Sequence, residues 1–162
     1  MQLKQVGFSV EVYGSATELP VDDAALLATA RAVTAAAYAP YSNFFVGAAA
    51  KLANGEVITG TNQENASYPA GMCAERTLMS AAATQYPGIA IETMAISYDN
   101  KNGESNRPIS PCGICRQVLT EFEDRTGHAI KLILGGLNGE VYAIKTAKEL
   151  LPLTFTSEDL KR

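Results

Sequence analysis

Residues 45–61, FVGAAAKLANGEVITGT, contain two apolar runs, Phe45–Leu52 and Val57–Thr61, around Asn54-Gly55. Asn-Gly readily supplies the positive-φ positions of a tight turn. Apolar runs on both sides of it are a strong short-range hairpin signal. A second such unit lies downstream, where Ile130–Leu134 and Val141–Ile144 flank Asn138-Gly139. Around these hairpins the apolar period changes from two to that of a helix. Pro20 and the acids Asp22 and Asp23 introduce a helix with the stripe Leu26, Leu27, Ala30, Val33, Ala37, stopped by Pro40. A second helix is expected from about Cys73 to Gln85, ended by Pro87-Gly88. A third runs behind Pro111, from Cys112 to about Asp124, with Ile114, Val118, Leu119 and Phe122 on its buried face. Ile91–Tyr98 reads as a strand, Lys101–Arg107 as a polar loop, and Ala147–Leu151 as a short helix closed by Pro152. Val6, Phe8, Val10 and Val12 alternate with Gly7, Ser9 and Glu11, which predicts a half-buried strand over 6–12. Strands alternating with helices imply an α/β domain, and the two hairpins make its central sheet mixed.

The chain has 162 residues, 47% hydrophobic and 19% charged, which suits one compact domain over 1–162. Its net charge is -4, and apart from the Lys161-Arg162 tail its Lys and Arg residues are scattered. Proteins that hold polynucleotide phosphates carry a basic face. A small, uncharged or weakly charged ligand is therefore expected, with no nucleic acid polymer as partner. No apolar run approaches the roughly 18 residues needed to cross a bilayer, so no membrane partner is expected. Met1–Gly14 lacks a basic-then-apolar leader pattern. The expected location is the cytoplasm, where the three cysteines stay reduced.

Those cysteines are placed as metal ligands. Cys112 and Cys115 open one helix three residues apart, so both sulfurs can reach one ion. Cys73 opens the other helix. A thiolate at a helix N-terminus is favoured by the dipole and by free N–H groups. Three protein ligands leave one tetrahedral position open, as a catalytic zinc requires. Glu75, two residues after Cys73, can share the ion's surroundings only from the first helical turn, where both side chains project past the helix end. It is then placed as a general acid/base for a water activated by the ion. Zinc with three thiolates carries a net charge of about -1, which neighbours must offset. Arg76 is the candidate, as a cation behind the ligands that could donate hydrogen bonds to the sulfurs. Two other readings fit some of these residues. Cys-Gly-Ile-Cys alone also suits a dithiol redox pair. A purely structural zinc needs a fourth ligand, and the one histidine, His128 in Thr-Gly-His, reads as a surface residue.

The pattern Cys73-x-Glu75 with Pro111-Cys112-x-x-Cys115 is the zinc deaminase signature. From about Ala37 to Phe155 the chain resembles the cytidine deaminase family. The resemblance rests on Tyr38–Ala48 (YAPYSNFFVGA), Asn62–Ala66 (NQENA), Cys73–Thr77 (CAERT), Ser110–Gln117 (SPCGICRQ) and Leu150-Leu151-Pro152 with Phe155. It implies a three-layer fold, one Zn2+ per chain and a small nucleoside substrate. It also implies a homotetramer with shared active sites. By position, Asn62 and Glu64 resemble the pair that binds the ribose 3′-hydroxyl, and Phe44 an apolar wall of the nucleoside pocket. Ala74 resembles the residue whose backbone N–H meets the pyrimidine O2. Tyr68 and Phe155 resemble residues that reach a neighbouring subunit's site.

The implied reaction is hydrolytic loss of the 4-amino group of cytidine or deoxycytidine, in pyrimidine salvage, with Glu75 moving the protons. Neither ribose contact reads the 2′-position, and no basic cradle awaits a 5′-phosphate. A deaminase of a cytosine-containing antibiotic such as blasticidin S would share the metal set. Asn62-x-Glu64-Asn65 and Phe44-x-Val46-Gly47 favour the plain nucleoside. A non-catalytic zinc-stabilised module is the rival from another class. The chain departs from the family pattern in three places. Phe45 stands where Pro is frequent, roughly the first twenty residues form an extension, and the Lys101–Arg107 loop is longer than usual.

Overall fold

The structure, a computed structural model, describes residues 1–161, so of the Lys161-Arg162 tail Arg162 lies outside the described residues. Six strands form one sheet: β1 (Glu11–Tyr13), β2 (Phe44–Leu52), β3 (Val57–Thr61), β4 (Ile91–Asn100), β5 (Lys131–Gly135) and β6 (Val141–Ile144). Their order is β1-β6-β5-β4-β2-β3. Both Asn-Gly hairpins form, with Gly55 and Gly139 at positive φ, and pair β2 with β3 and β5 with β6 antiparallel. Among the described strands the one parallel pair is β4 with β5. A parallel neighbour needs a crossover, and the helix α3 (Gly113–Thr126) supplies it.

Helix α1 (Val21–Val33) covers one face of the sheet, where Leu26, Leu27 and Ala30 bury against Ala49, Ala95 and Ile133. Helices α2 (Ala74–Gln85) and α3 cover the other face, with Leu78, Met79, Leu119 and Phe122 packed on Ile96, Met94 and Leu134. The result is the expected three-layer mixed α/β fold. Two glycines set how closely the layers approach. A Cβ on Gly47 would lie 2.2 Å from the Ala30 carbonyl oxygen, and one on Gly60 2.5 Å from the Leu78 nitrogen. Only hydrogen fits at those crossings.

Three expectations need correction. The strand over 6–12 is reduced to β1, which starts at Glu11. Glu11 pairs with Ala143, only one residue from the end of β6, so the chain before it has almost no ladder to join. Val6, Phe8 and Val12 are exposed, while Val10 packs on the core. Ala37 falls outside α1, because the helix tightens into a 3-10 turn over Thr34–Ala36. Ile114 is exposed instead of buried. It sits in the first turn of α3, where it helps line a cavity described below.

Candidate active site and metal centre

Cys73 is the N-cap of α2, and Cys112 is the N-cap of α3. The Cys112 sulfur accepts from the Cys115 N–H at 3.5 Å, so this side chain caps its own helix. The two caps meet in space. The sulfurs of Cys73 and Cys112 are 3.7 Å apart and those of Cys112 and Cys115 3.4 Å apart; all three lie within 4.8 Å of one another. A tetrahedral zinc with 2.3 Å bonds holds its sulfurs about 3.8 Å apart. The three thiols are free, not disulfide-bonded, and their chemistry and spacing fit that ion. Among the described residues no fourth His, Asp or Glu joins the group. His128 lies elsewhere, in the turn after α3, where its N–H donates to the Glu123 carbonyl.

The electrostatics favour a thiolate at Cys73. Its pKa is lowered to about 6, chiefly by the hydrogen bond from Cys115, then by Cys112 and the nearby Arg76 charge, against burial. Cys115 is pushed up, first because it donates to Cys73, then by burial and the Glu75 charge. Arg76 lines the cavity and acts on Cys73 through its charge; among the described residues it makes no hydrogen bond to sulfur.

Glu75 is 5% exposed, in the first turn of α2. Burial raises its pKa, as does the Cys73 charge, while its own backbone N–H and the Cys115 thiol pull the other way. A carboxyl so raised exchanges protons nearer neutrality than a solvated one does.

These groups face a cavity of about 460 Å3, which suits a small organic ligand. Cys73, Ala74, Glu75 and Cys112 line it together with Asn62, Glu64 and Tyr68. Ala74 is fully buried at the first position of α2, where N–H groups are free of the helix ladder. Asn62 is committed to β2: its Oδ1 accepts from the Val46 N–H at 2.7 Å, and its Nδ2 donates to the Phe44 carbonyl at 2.9 Å. Glu64 accepts from the Tyr41 and Ser42 N–H groups and from the Ser42 hydroxyl. The Ser42 hydroxyl, ahead of those N–H groups, lowers its pKa. Both side chains thus tie down neighbouring backbone and border the cavity as well.

Two predicted site residues stand outside that lining. Phe44 stacks on Tyr98, with ring centroids 4.8 Å apart at 14°, and Val46, two residues along the same strand face, lines the cavity instead. Phe155 is exposed, its carbonyl held by Gln117 at 2.9 Å. Tyr68 is exposed at the rim, edge-on to Tyr41 at 6.2 Å. Sequence reasoning missed Met72, Ile109 and Ser110 in the lining. They immediately precede the two cysteine motifs, and that adjacency was the available signal.

A family model for the cytidine and deoxycytidylate deaminase zinc-binding region matches residues 21–129. The chain is 44% identical to the cytidine deaminase of Halalkalibacterium halodurans over 124 residues, 76% of this chain and 86% of that one. It is 37% identical to the cytidine deaminase of Sporosarcina psychrophila over 136 residues, 83% and 92% of the two chains. Among solved structures, the cytidine deaminase of Burkholderia pseudomallei superposes with a TM-score of 0.70 at 39% identity, covering 81% of this chain and 97% of that one. With the thiol cluster and the buried carboxyl beside it, these likenesses place the chain in the cytidine deaminase family, whose members are hydrolases carrying a zinc-binding region.

Proposed function

We propose that the chain hydrolyses cytidine and deoxycytidine to uridine and deoxyuridine with release of ammonia, as a cytoplasmic enzyme of pyrimidine salvage. The observation that carries this reading is the position of Glu75, a buried carboxyl beside three clustered sulfurs on the wall of a nucleoside-sized cavity. Cys73, Cys112 and Cys115 would hold one Zn2+ per chain, and the metal would supply a water of lowered pKa.

This chain's own residues do the rest. Glu75 takes a proton from the attacking water and delivers it to N3 as the oxygen bonds to C4. It then carries the second proton, from the new hydroxyl at C4, to the departing amino nitrogen. One water enters and one ammonia leaves. Arg76 offsets the thiolate charge, which would otherwise oppose ionisation at the site. The Ala74 N–H orients the pyrimidine O2. Asn62 and Glu64 receive the ribose 3′-hydroxyl, with Phe44 backing the wall that Val46 faces.

We read residues 1–162 as one domain, its helices packed on a single sheet. The exposed Tyr68 and Phe155 support a homotetramer in which each reaches a neighbouring copy's cavity. Among the described residues no helix is long and apolar enough to cross a membrane.

The test is ammonia release measured with cytidine, deoxycytidine, cytidine 5′-monophosphate and free cytosine. The reading predicts turnover of the two nucleosides and little of the others. Preference for the nucleotide or the base would contradict it.

A further inference from the structure

We propose that Asn102 is a positioning residue: its side-chain amide holds the Ser42 carbonyl and so fixes the turn that aims Glu64 into the substrate cavity. The inference rests on the proposed role of Glu64 in receiving the ribose.

The turn at Pro40–Asn43 leads into β2, with Asn43 at a φ of 55°. Glu64 accepts from the Tyr41 and Ser42 N–H groups and from the Ser42 hydroxyl, while the Asn43 N–H donates to the Ala39 carbonyl at 3.0 Å. With those bonds made, the carboxyl cannot move without the turn, nor the turn without the carboxyl. The carbonyl side of the turn is bound by the polar loop after β4. Asn102 Nδ2 donates to the Ser42 carbonyl at 2.9 Å, and the Lys101 N–H donates to the Asn43 carbonyl at 3.0 Å.

The loop is itself anchored at both ends. On the near side, the Asn100 N–H donates to the Ser105 hydroxyl at 2.8 Å, and the Asn102 N–H to the Asn100 Oδ1 at 3.0 Å. On the far side it lies flat on the β5–β6 hairpin. The Ser105 carbonyl accepts from the Asn138 N–H at 3.3 Å. A Cβ on Gly136 would lie 2.1 Å from the Ser105 carbonyl oxygen, and one on Gly139 1.9 Å from that of Asn106. The hairpin therefore presents two glycines where the loop crosses it. The loop is a fixed strap running from that hairpin to the Ser42 turn, and Asn102 is the side chain at its working end.

Kinetics with cytidine and 3′-deoxycytidine test the assignment in the zinc-loaded wild type, Glu64→Gln, Asn102→Ala and Asn102→Asp. One neutral hydrogen bond corresponds to about a two- to tenfold effect. The expected result for both Asn102 variants is a rise in KM for cytidine of that size, with kcat little changed and thermal stability retained. Asn102→Asp keeps the shape and loses the donor. With 3′-deoxycytidine the rise should vanish, because the hydroxyl that Glu64 receives is absent. An unchanged KM for cytidine, or an equal loss on both substrates, would overturn the assignment of Asn102. If Glu64→Gln raises KM while the Asn102 variants do not, only this inference fails. If the wild type releases no ammonia from cytidine, or Glu64→Gln leaves KM unmoved, the functional reading fails first and this assignment with it.

Discussion

The sulfurs of Cys73 and Cys112 stand 3.7 Å apart although 39 residues separate them in the chain. Each is the N-cap of its helix, so each precedes the first turn of free N–H groups. Bringing two such ends together concentrates positive potential where the three sulfurs cluster. The meeting is made possible by α2 and α3 sharing one hydrophobic core on the same face of the sheet.

Glu75 is assigned the proton transfers, and an amide of the same shape cannot perform them. Glu75→Gln is expected to keep its zinc and to lose turnover by about 10²- to 10⁴-fold. Metal analysis and ammonia release on one preparation check this. Turnover close to wild type would remove Glu75 from the mechanism.

Cys112 caps α3 and is also assigned as a zinc ligand in the proposed reading. Cys112→Ala is expected to lose zinc and to destabilise α3 by about 0.5–2 kcal/mol even without metal, from the lost cap. Denaturant titration of the zinc-free proteins isolates the second effect. Full zinc occupancy in the variant would show that the ligand set is wrong.

Gly60 sits in β3 where α2 crosses closest, and a Cβ there would lie 2.6 Å from the Ala74 carbonyl oxygen. The helix would have to move, carrying Cys73 and Glu75 with it. Gly60→Ala is expected to cost about 1–3 kcal/mol and to weaken zinc binding. Urea midpoints and a zinc competition assay report the two effects separately. If both are unchanged, the spacing of β3 and α2 does not control the site.

The Glu64 pKa lies below its ordinary value of 4.5, because the Ser42 hydroxyl and the Tyr41 and Ser42 N–H groups favour the charged form. A lowered folded-state pKa gives stability that is present above the ordinary value and lost as pH falls through the folded one. Stability should therefore fall with acid below 4.5, and part of that slope should disappear in Glu64→Gln. Denaturation midpoints over that acid range decide it. An identical slope in both proteins would show that the Ser42 turn does not depend on the carboxylate.

The hairpins, the helices and the thiol cluster were legible because each depends on local chemistry: Asn-Gly turns, apolar period and ligand spacing. Errors arose where tertiary surroundings decide. Val6–Val12 has the alternation of a strand, but β6 is too short to pair with most of it. Ile114 has the right helical spacing for burial, but in the first turn of α3 it lines a cavity instead. For Phe44 and Asn62 no local pattern announces the contacts they also make: the first stacks on Tyr98, and the second bonds the Val46 N–H and the Phe44 carbonyl. The strap at Lys101–Arg107 read only as a polar loop. Its value comes from Ser42 and Gly139, both more than thirty residues away in the chain.

The most direct measurement of the central claim is zinc per chain followed in parallel with cytidine turnover as metal is stripped by a chelator and added back. The account predicts one zinc per chain at full activity, with rate proportional to occupancy and recovered on readdition. Turnover that persists in zinc-free protein, or a fully loaded protein that releases no ammonia, would contradict it.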